Sequence, residues 1–91
     1  MKESDIEKYL VKEVEKRNGI PYKFVSPQRV NVPDRLCVFP KGVIMFIEVK
    51  AQGKKPNEGQ KREHLRLMAL DCAVYVVDSI EQVDWILSGV V

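Results

Sequence analysis

The chain has 91 residues, enough for one small domain with a single core and too few for two, so residues 1–91 are expected to form one unit. Hydrophobic residues make up 45% of it and charged residues 31%, which excludes the disordered and fibrous classes, and a formal charge of +2 is too slight to establish a nucleic-acid partner by itself. No apolar run approaches the ~20 residues needed to cross a bilayer, and the N-terminal MKESDIEKYL is charged throughout, so neither a membrane span nor a signal peptide is expected and the default address is cytoplasmic. Cys37 and Cys72 sit in apolar surroundings without CxxC spacing and read as buried reduced thiols.

Residues 3–17 are predicted to be helical, with Ile6, Leu10 and Val14 at four-residue spacing and Asn18-Gly19 as the stop. At ~100° per residue, Glu3 falls within ~20° of Leu10 and Glu7 lies at the edge of the apolar stripe. Both acids are therefore expected to point inward, although attraction to the helix N-terminus is a plainer reason for either. Pro21 to Ser26 reads as a short strand and Ser26 to Arg29 as a loop. A second strand is expected over Leu36–Phe39, a tight turn at Pro40-Lys41-Gly42, and a third strand over Val43–Lys50. Val43 to Ile47 is apolar without alternation, as in a central strand covered on both faces.

A basic loop, Ala51 to Lys55, leads to a second helix from Pro56 or Asn57 to about Leu70, with Leu65 and Met68 on its packing side. Ala73 to Val77 is a fourth strand. Ser79 with Gln82 forms a capping box for a last helix that packs through Ile80, Val83, Ile86 and Leu87. The order is α-β-β-β-α-β-α, and the helix between strands three and four is long enough for a parallel crossover, so the sheet is mixed. Trp85 lies off the best packing stripe of the last helix and suits a dimer interface as well as the core.

The chemistry concentrates in Val32 to Lys50, VPDRLCVFPKGVIMFIEVK. If its two apolar segments are neighbouring strands, Asp34 and Glu48 meet at one end of the sheet, and Lys50, two residues after Glu48, shares its face. Two carboxylates about 4 Å apart repel by roughly 4 kcal/mol at an effective dielectric of ~20, so a cation between them is required to keep both ionised. Mg²⁺ or Mn²⁺ suits oxygen ligands, and the absence of CxxC or HExxH argues against zinc. A carboxylate-held divalent cation beside a lysine is what phosphodiester hydrolysis requires. A surface acid next to a strand-end ion pair would give the same spacing.

Pro33-Asp34 followed by Glu48-Val49-Lys50 at the end of an apolar strand resembles the PD-(D/E)XK nuclease signature. The words VPDR, FIEVKAQGKKPNEGQ and YVVDS are similar to its VRR-NUC branch (virus-type replication-repair nuclease) over nearly the whole chain. The resemblance implies a restriction-endonuclease-like α/β core and a Mg²⁺- or Mn²⁺-dependent endonuclease acting on branched DNA such as Holliday junctions, typically as a homodimer. It implies Asp34 and Glu48 as metal ligands, the Val49 backbone carbonyl as a third, Lys50 as catalytic lysine, Glu3 as the first-helix acid in preference to Glu7, and Gln60 as a contact to DNA or to water at the metal. A DNA-binding module of the same fold without cleavage is the alternative; loss of an acid or of the lysine would favour it, and all are present.

DNA contacts are expected from Ser26 and Arg29 in the loop before Asp34, from Arg35, and from Lys54, Lys55 and Lys61 in the basic window that also holds Arg62 and Arg66. His64, one turn after Gln60, reads as a solvated helix residue. Asn31 and Asp71 stand where the family commonly has glycine, and both residue types enter the left-handed region more readily than most.

Overall fold

The computed structural model describes residues 1–90. Helix α1 (Glu3–Lys16) buries Ile6, Leu10 and Val14, as its spacing predicts. It ends in a Schellman arrangement: Asn18 takes φ +61°, the Gly19 N–H bonds to Val14 O and the Asn18 N–H to Glu15 O. Gly19 is needed here for space, because a Cβ would come within 2.7 Å of the Phe39 ring. The chain then forms β1 (Ile20–Lys23), β2 (Arg35–Phe39) and β3 (Val43–Val49), the last two joined by a short 3₁₀ turn at Pro40–Gly42. Helix α2 (Glu58–Ala69), β4 (Val74–Val77) and α3 (Ile80–Leu87) complete the predicted order.

The sheet runs β1-β2-β3-β4, antiparallel except for the parallel β3–β4 pair made by the α2 crossover. Helices α1 and α3 share one face and close the core on Cys37, Phe39, Met45, Ile47, Val49 and Val77. Burial there raises the Cys37 thiol to about 11. Helix α2 lies on the other face, the face of Glu48. It covers that face only in part, for Ile20, Tyr22 and Ile44 are each about half exposed. Strand β3 is central as predicted, but it is covered on both faces only toward its C-terminal end; Val43 and Ile44 remain open.

Three further expectations are corrected. Leu65 and Met68 are exposed, and the inward face of α2 is the row Gln60, His64 and Leu67, with Glu63 buried beside it. The helix turns this way because the surface it covers carries a carboxylate and an arginine, which a histidine and a glutamate can meet and leucine cannot. At the last helix, Ser79 Oγ accepts from the Gln82 N–H, but the Gln82 carboxamide accepts from the Asp78 N–H, one residue too early for a box. The complete capping box belongs to α2, between Asn57 and Gln60. Trp85 is 76% exposed, so it is not a core residue.

Asn31 and Asp71 do take left-handed backbone, at φ +68° and +65°. Asp71 is the C′ residue of α2, with its N–H on Met68 O and the Cys72 N–H on Leu67 O. Asn31 lies under the first turn of α2, its carboxamide so close to Gly59 that a Cβ there would come within 2.5 Å of Nδ2. Among the described residues, no helix is long and apolar enough to cross a membrane.

Candidate metal-assisted active site

The antiparallel register of β2 and β3 pairs Arg35 with Ile47, so one step further along both strands Asp34 stands opposite Glu48. Directly opposed residues project from the same face with Cβ atoms roughly 4.5–5.5 Å apart. The two acids, fourteen positions apart in the chain, are thus brought together by strand pairing on the face covered by α2. Asp34 is drawn toward β3: its Oδ2 accepts the Val49 N–H at 2.7 Å, and its own carbonyl accepts from the Phe24 N–H at 2.9 Å. In a strand the N–H and C=O of one residue point to the same edge. The Val49 carbonyl therefore opens toward Asp34, while the Val49 side chain is buried in the core on the other face.

Glu48 is 2% exposed, and the groups around it are specific. Lys50 Nζ is 3.6 Å from Oε2, and Gln60 Nε2 donates to the same oxygen at 3.3 Å. The capping box fixes which way the Gln60 carboxamide points, because its Oε1 is engaged by the Asn57 N–H at 3.0 Å and its NH₂ must then face Glu48. The other glutamate oxygen, Oε1, faces His64 Nε2 at 3.5 Å, and neither atom has a hydrogen-bond partner. Burial, reinforced by the negative charge of Asp34 and opposed by Lys50, pushes the Glu48 carboxyl up to about 7. Burial and the nearby Lys50 ammonium hold the His64 imidazole below its ordinary value, hence neutral around pH 7.

The other predicted residues divide into two groups. Glu3 is exposed in the first turn of α1. Its angle was read correctly, but burial of that stripe begins one turn later, at Ile6. The N-terminus is nonetheless tied to the loop after Lys50, by Met1 N on Gln52 Oε1 and the Gln52 N–H on Met1 O, which sets Glu3 at the same end of the sheet. Glu7 is the acid that turns inward, and Arg35 meets it at 2.9 Å while also donating to Pro21 O. Both lie on the α1 side of the sheet, away from Glu48. Among the described residues, no three His, Cys, Asp or Glu side chains gather into one ligand group.

Arg29 is bound to the buried Glu63 through both Nε and Nη2, and Arg66 Nη1 joins the same carboxylate at 2.9 Å. These two guanidiniums hold the Glu63 carboxyl below the usual range, yet their side chains stay 53% and 58% exposed. With Arg62, Gln28, Asn31 and Gly59 they line a cavity of about 320 Å³ beside the Glu48 cleft. Ser26 Oγ accepts the Arg29 N–H and shapes that loop. Lys54, Lys55 and Lys61 are exposed, and Lys61 pairs with Glu58 at 3.4 Å. The residues that sequence reasoning missed are His64 and Glu63. The signal for His64 was its i, i+4 spacing from Gln60; for Glu63 the i, i+3 spacing to Arg66 reads as an ordinary surface pair, and the Arg29 partner lies 34 residues away.

Two acids facing each other across antiparallel strands, with a lysine two residues beyond the second, at the end of a mixed sheet between helices, match the PD-(D/E)XK signature on a restriction-endonuclease-like core. Comparison with known proteins agrees. The chain is 57% identical over 79 residues to "Putative nuclease p44" of Acyrthosiphon pisum secondary endosymbiont phage 1, a match that takes in 87% of this chain and 85% of that protein. Among solved structures, a "VRR_NUC domain" superposes with a TM-score of 0.91 at 36% identity, over 98% of this chain and 97% of the other. No family model matches the chain. On the likeness to these two, the chain belongs to the VRR-NUC family of nucleases.

The raised Glu48 carboxyl makes a prediction for the metal-free protein. The native state keeps its proton from about pH 4.5 to about 7 whereas the unfolded chain has lost it, so this group's contribution to stability falls as pH rises through that window and is fully lost above it. A shift of this size is worth at most about 3 kcal/mol. In EDTA, the melting temperature is therefore expected to fall between pH 5 and pH 7.5, and Glu48→Gln is expected to flatten that slope. An unchanged slope in the variant would show that Glu48 is not the group responsible.

Proposed function

We propose that the protein is a Mg²⁺- or Mn²⁺-dependent DNA endonuclease, selective for branched DNA such as Holliday junctions and active as a homodimer. The observation that carries this reading is the pairing of Asp34 against Glu48 with Lys50 on the same face. The donor set fits a hard divalent cation: two carboxylates and one backbone carbonyl, all oxygen, leave room for the several waters that Mg²⁺ retains. Glu48 and its neighbour Asp34 are an anionic pair in a place where burial disfavours charge, and a cation relieves that conflict. Asp34, Glu48 and the Val49 carbonyl would hold it. When bound, such an ion lowers the pKa of a coordinated water and polarises the phosphoryl oxygen.

The chain's own residues do the rest. Lys50, 18% exposed at the mouth of the cleft, sets a positive charge where the attacking water arrives and where negative charge grows on the phosphoryl oxygens. Gln60 holds Glu48 from above through the Oε2 contact, and so acts first by orienting the carboxylate. Glu3, at the same end of the sheet but exposed, reaches the centre only through water or substrate. The DNA backbone is read by Lys54, Lys55 and Lys61 along the loop and the start of α2, and by Arg29 and Arg66, which Glu63 prepositions with their outer edges free. Ser26 supports Arg29. Arg35 stays outside this set, since its guanidinium is occupied by Glu7 on the far face.

The proposed test is cleavage of a four-way junction and a linear duplex in Mg²⁺, Mn²⁺ or EDTA. The junction should be cut with either ion and not in EDTA, with Asp34→Asn and Lys50→Ala each slower by about 100-fold or more, the scale of losing one electrostatic transition-state contact. Cleavage in EDTA, or undiminished in both variants, overturns the site; faster cutting of the linear duplex removes the preference for branches and leaves the nuclease.

The homodimer is supported by the open part of the sheet. Ile20, Tyr22 and Ile44 share the α2 face in register, each about half exposed, next to the half-buried Leu36 and Val38. A contiguous apolar face of this kind marks an association surface, and a two-fold axis through it would carry two sites to symmetric strands of one junction. The mass in solution is expected to be twice the 10.5 kDa of the chain, and Ile44→Lys is expected to return it to the monomer. A monomeric wild-type protein at working concentration contradicts the dimer.

A further inference from the structure

The two oxygens of Glu48 lie in different surroundings. Oε2 meets Gln60 and Lys50, on the side where the Lys50 side chain reaches solvent. Oε1 points back under α2, where His64 Nε2 stands 3.5 Å away, and both atoms are buried without a hydrogen-bond partner. The residues are 2% and 4% exposed, so both atoms are cut off from bulk water. An orphaned buried polar group is destabilising, and two orphans within reach of each other need only one proton between them to satisfy both. Burial first and the Lys50 ammonium second hold the imidazole below its ordinary value against the opposing pull of Asp34 and Glu63, which leaves a neutral ring with a single N–H to place. With Glu48 ionised, as a metal ligand must be, a proton on Nδ1 would leave the Nε2 lone pair facing a carboxylate lone pair, whereas on Nε2 it is aimed at Oε1.

We propose that His64, in its Nε2–H tautomer, is the positioning residue of Glu48, donating a hydrogen bond to Oε1 so that Oε2 stays turned toward Gln60 and Lys50. The role rests on the metal-centre reading above and adds to it the partner behind the ligand. Outer hydrogen bonds of this kind fix the orientation of a ligating side chain, and their removal costs 10–100-fold in metal affinity. The 3.5 Å separation is longer than a formed N–H···O bond, as is common for such contacts before the site is engaged. The geometry also accounts for Leu65: with His64 inward, the next residue, about 100° further round the helix, is carried to the surface. A glutamine at position 64 would place its amide nitrogen at about the reach of Nε2, whereas leucine keeps the volume and loses the donor.

The chain has a single histidine, so its ring nitrogens can be assigned without ambiguity. In long-range ¹H–¹⁵N spectra of the metal-free protein at about pH 9, where the Glu48 carboxyl, raised to about 7, is ionised, Nε2 is expected to be the protonated nitrogen and its signal to move in Glu48→Gln. A pyridine-like Nε2, or a signal indifferent to Glu48→Gln, overturns the hydrogen bond. Mn²⁺ affinity, measured by electron paramagnetic resonance on variants whose melting curves show them folded, reads the positioning. His64→Leu should bind 10–100-fold more weakly than wild type, and His64→Gln within a few-fold of it. Equal affinity in the two variants overturns the role of His64 alone; a wild-type protein that binds no Mn²⁺ overturns the metal centre itself.

Discussion

Between Pro33 and the start of strand β2 at Arg35 lies one residue, Asp34, and its side chain accepts a hydrogen bond from the backbone of the neighbouring strand. The bond between the Val49 N–H and Asp34 Oδ2, at 2.7 Å, stands where the ladder would otherwise continue. It depends on a register in which each residue of β2 opposes one of β3, and because side chains alternate with a period of two, a slip of one residue would turn Asp34 toward α1 and leave Glu48 alone. The register is held by the core face: Cys37 and Phe39 oppose Met45 and Val43, and Ile47 and Val49 carry the contact on to α1 and α3. Packing on one face of the sheet thus sets the acids on the other.

The α2 face follows a different logic. A helix over a sheet normally buries an apolar stripe, but here the inward residues are Gln60, His64, Leu67 and Glu63, each polar one facing a group of opposite character. Buried charges of this sort add little net stability, and the core on the α1 side supplies most of the apolar burial. What the arrangement provides is placement. Through one helix, Glu48 is held at the sheet and Arg29 and Arg66 are held at the rim, and the capping box at Asn57 links the first turn of the helix to both by fixing Gln60.

Much of this was legible in the sequence. Element order, the mixed sheet and the meeting of Asp34, Glu48 and Lys50 follow from apolar periodicity and from strand pairing of neighbouring segments. The left-handed positions of Asn31 and Asp71 follow from residue type. The errors on α2 share one cause. Periodicity counts apolar residues, so it assigned Leu65 and Met68 to the packing side of α2 and passed over His64 and Glu63, whose burial is decided by partners distant in sequence. Glu3 failed for a different reason: angle around a helix says which way a residue points and not where the helix stops being covered. Arg35 sat in the right word but one residue past Asp34, and in a strand one residue is the opposite face.

The central claim is that Asp34 and Glu48 hold one divalent cation between facing strands. A crystal of the protein grown with Mn²⁺, with diffraction recorded where manganese scatters anomalously, tests it most directly. The account predicts a peak between the Asp34 and Glu48 carboxylates, on the side of the Val49 carbonyl. A peak elsewhere, or ordered metal-free carboxylates at saturating Mn²⁺, would contradict it.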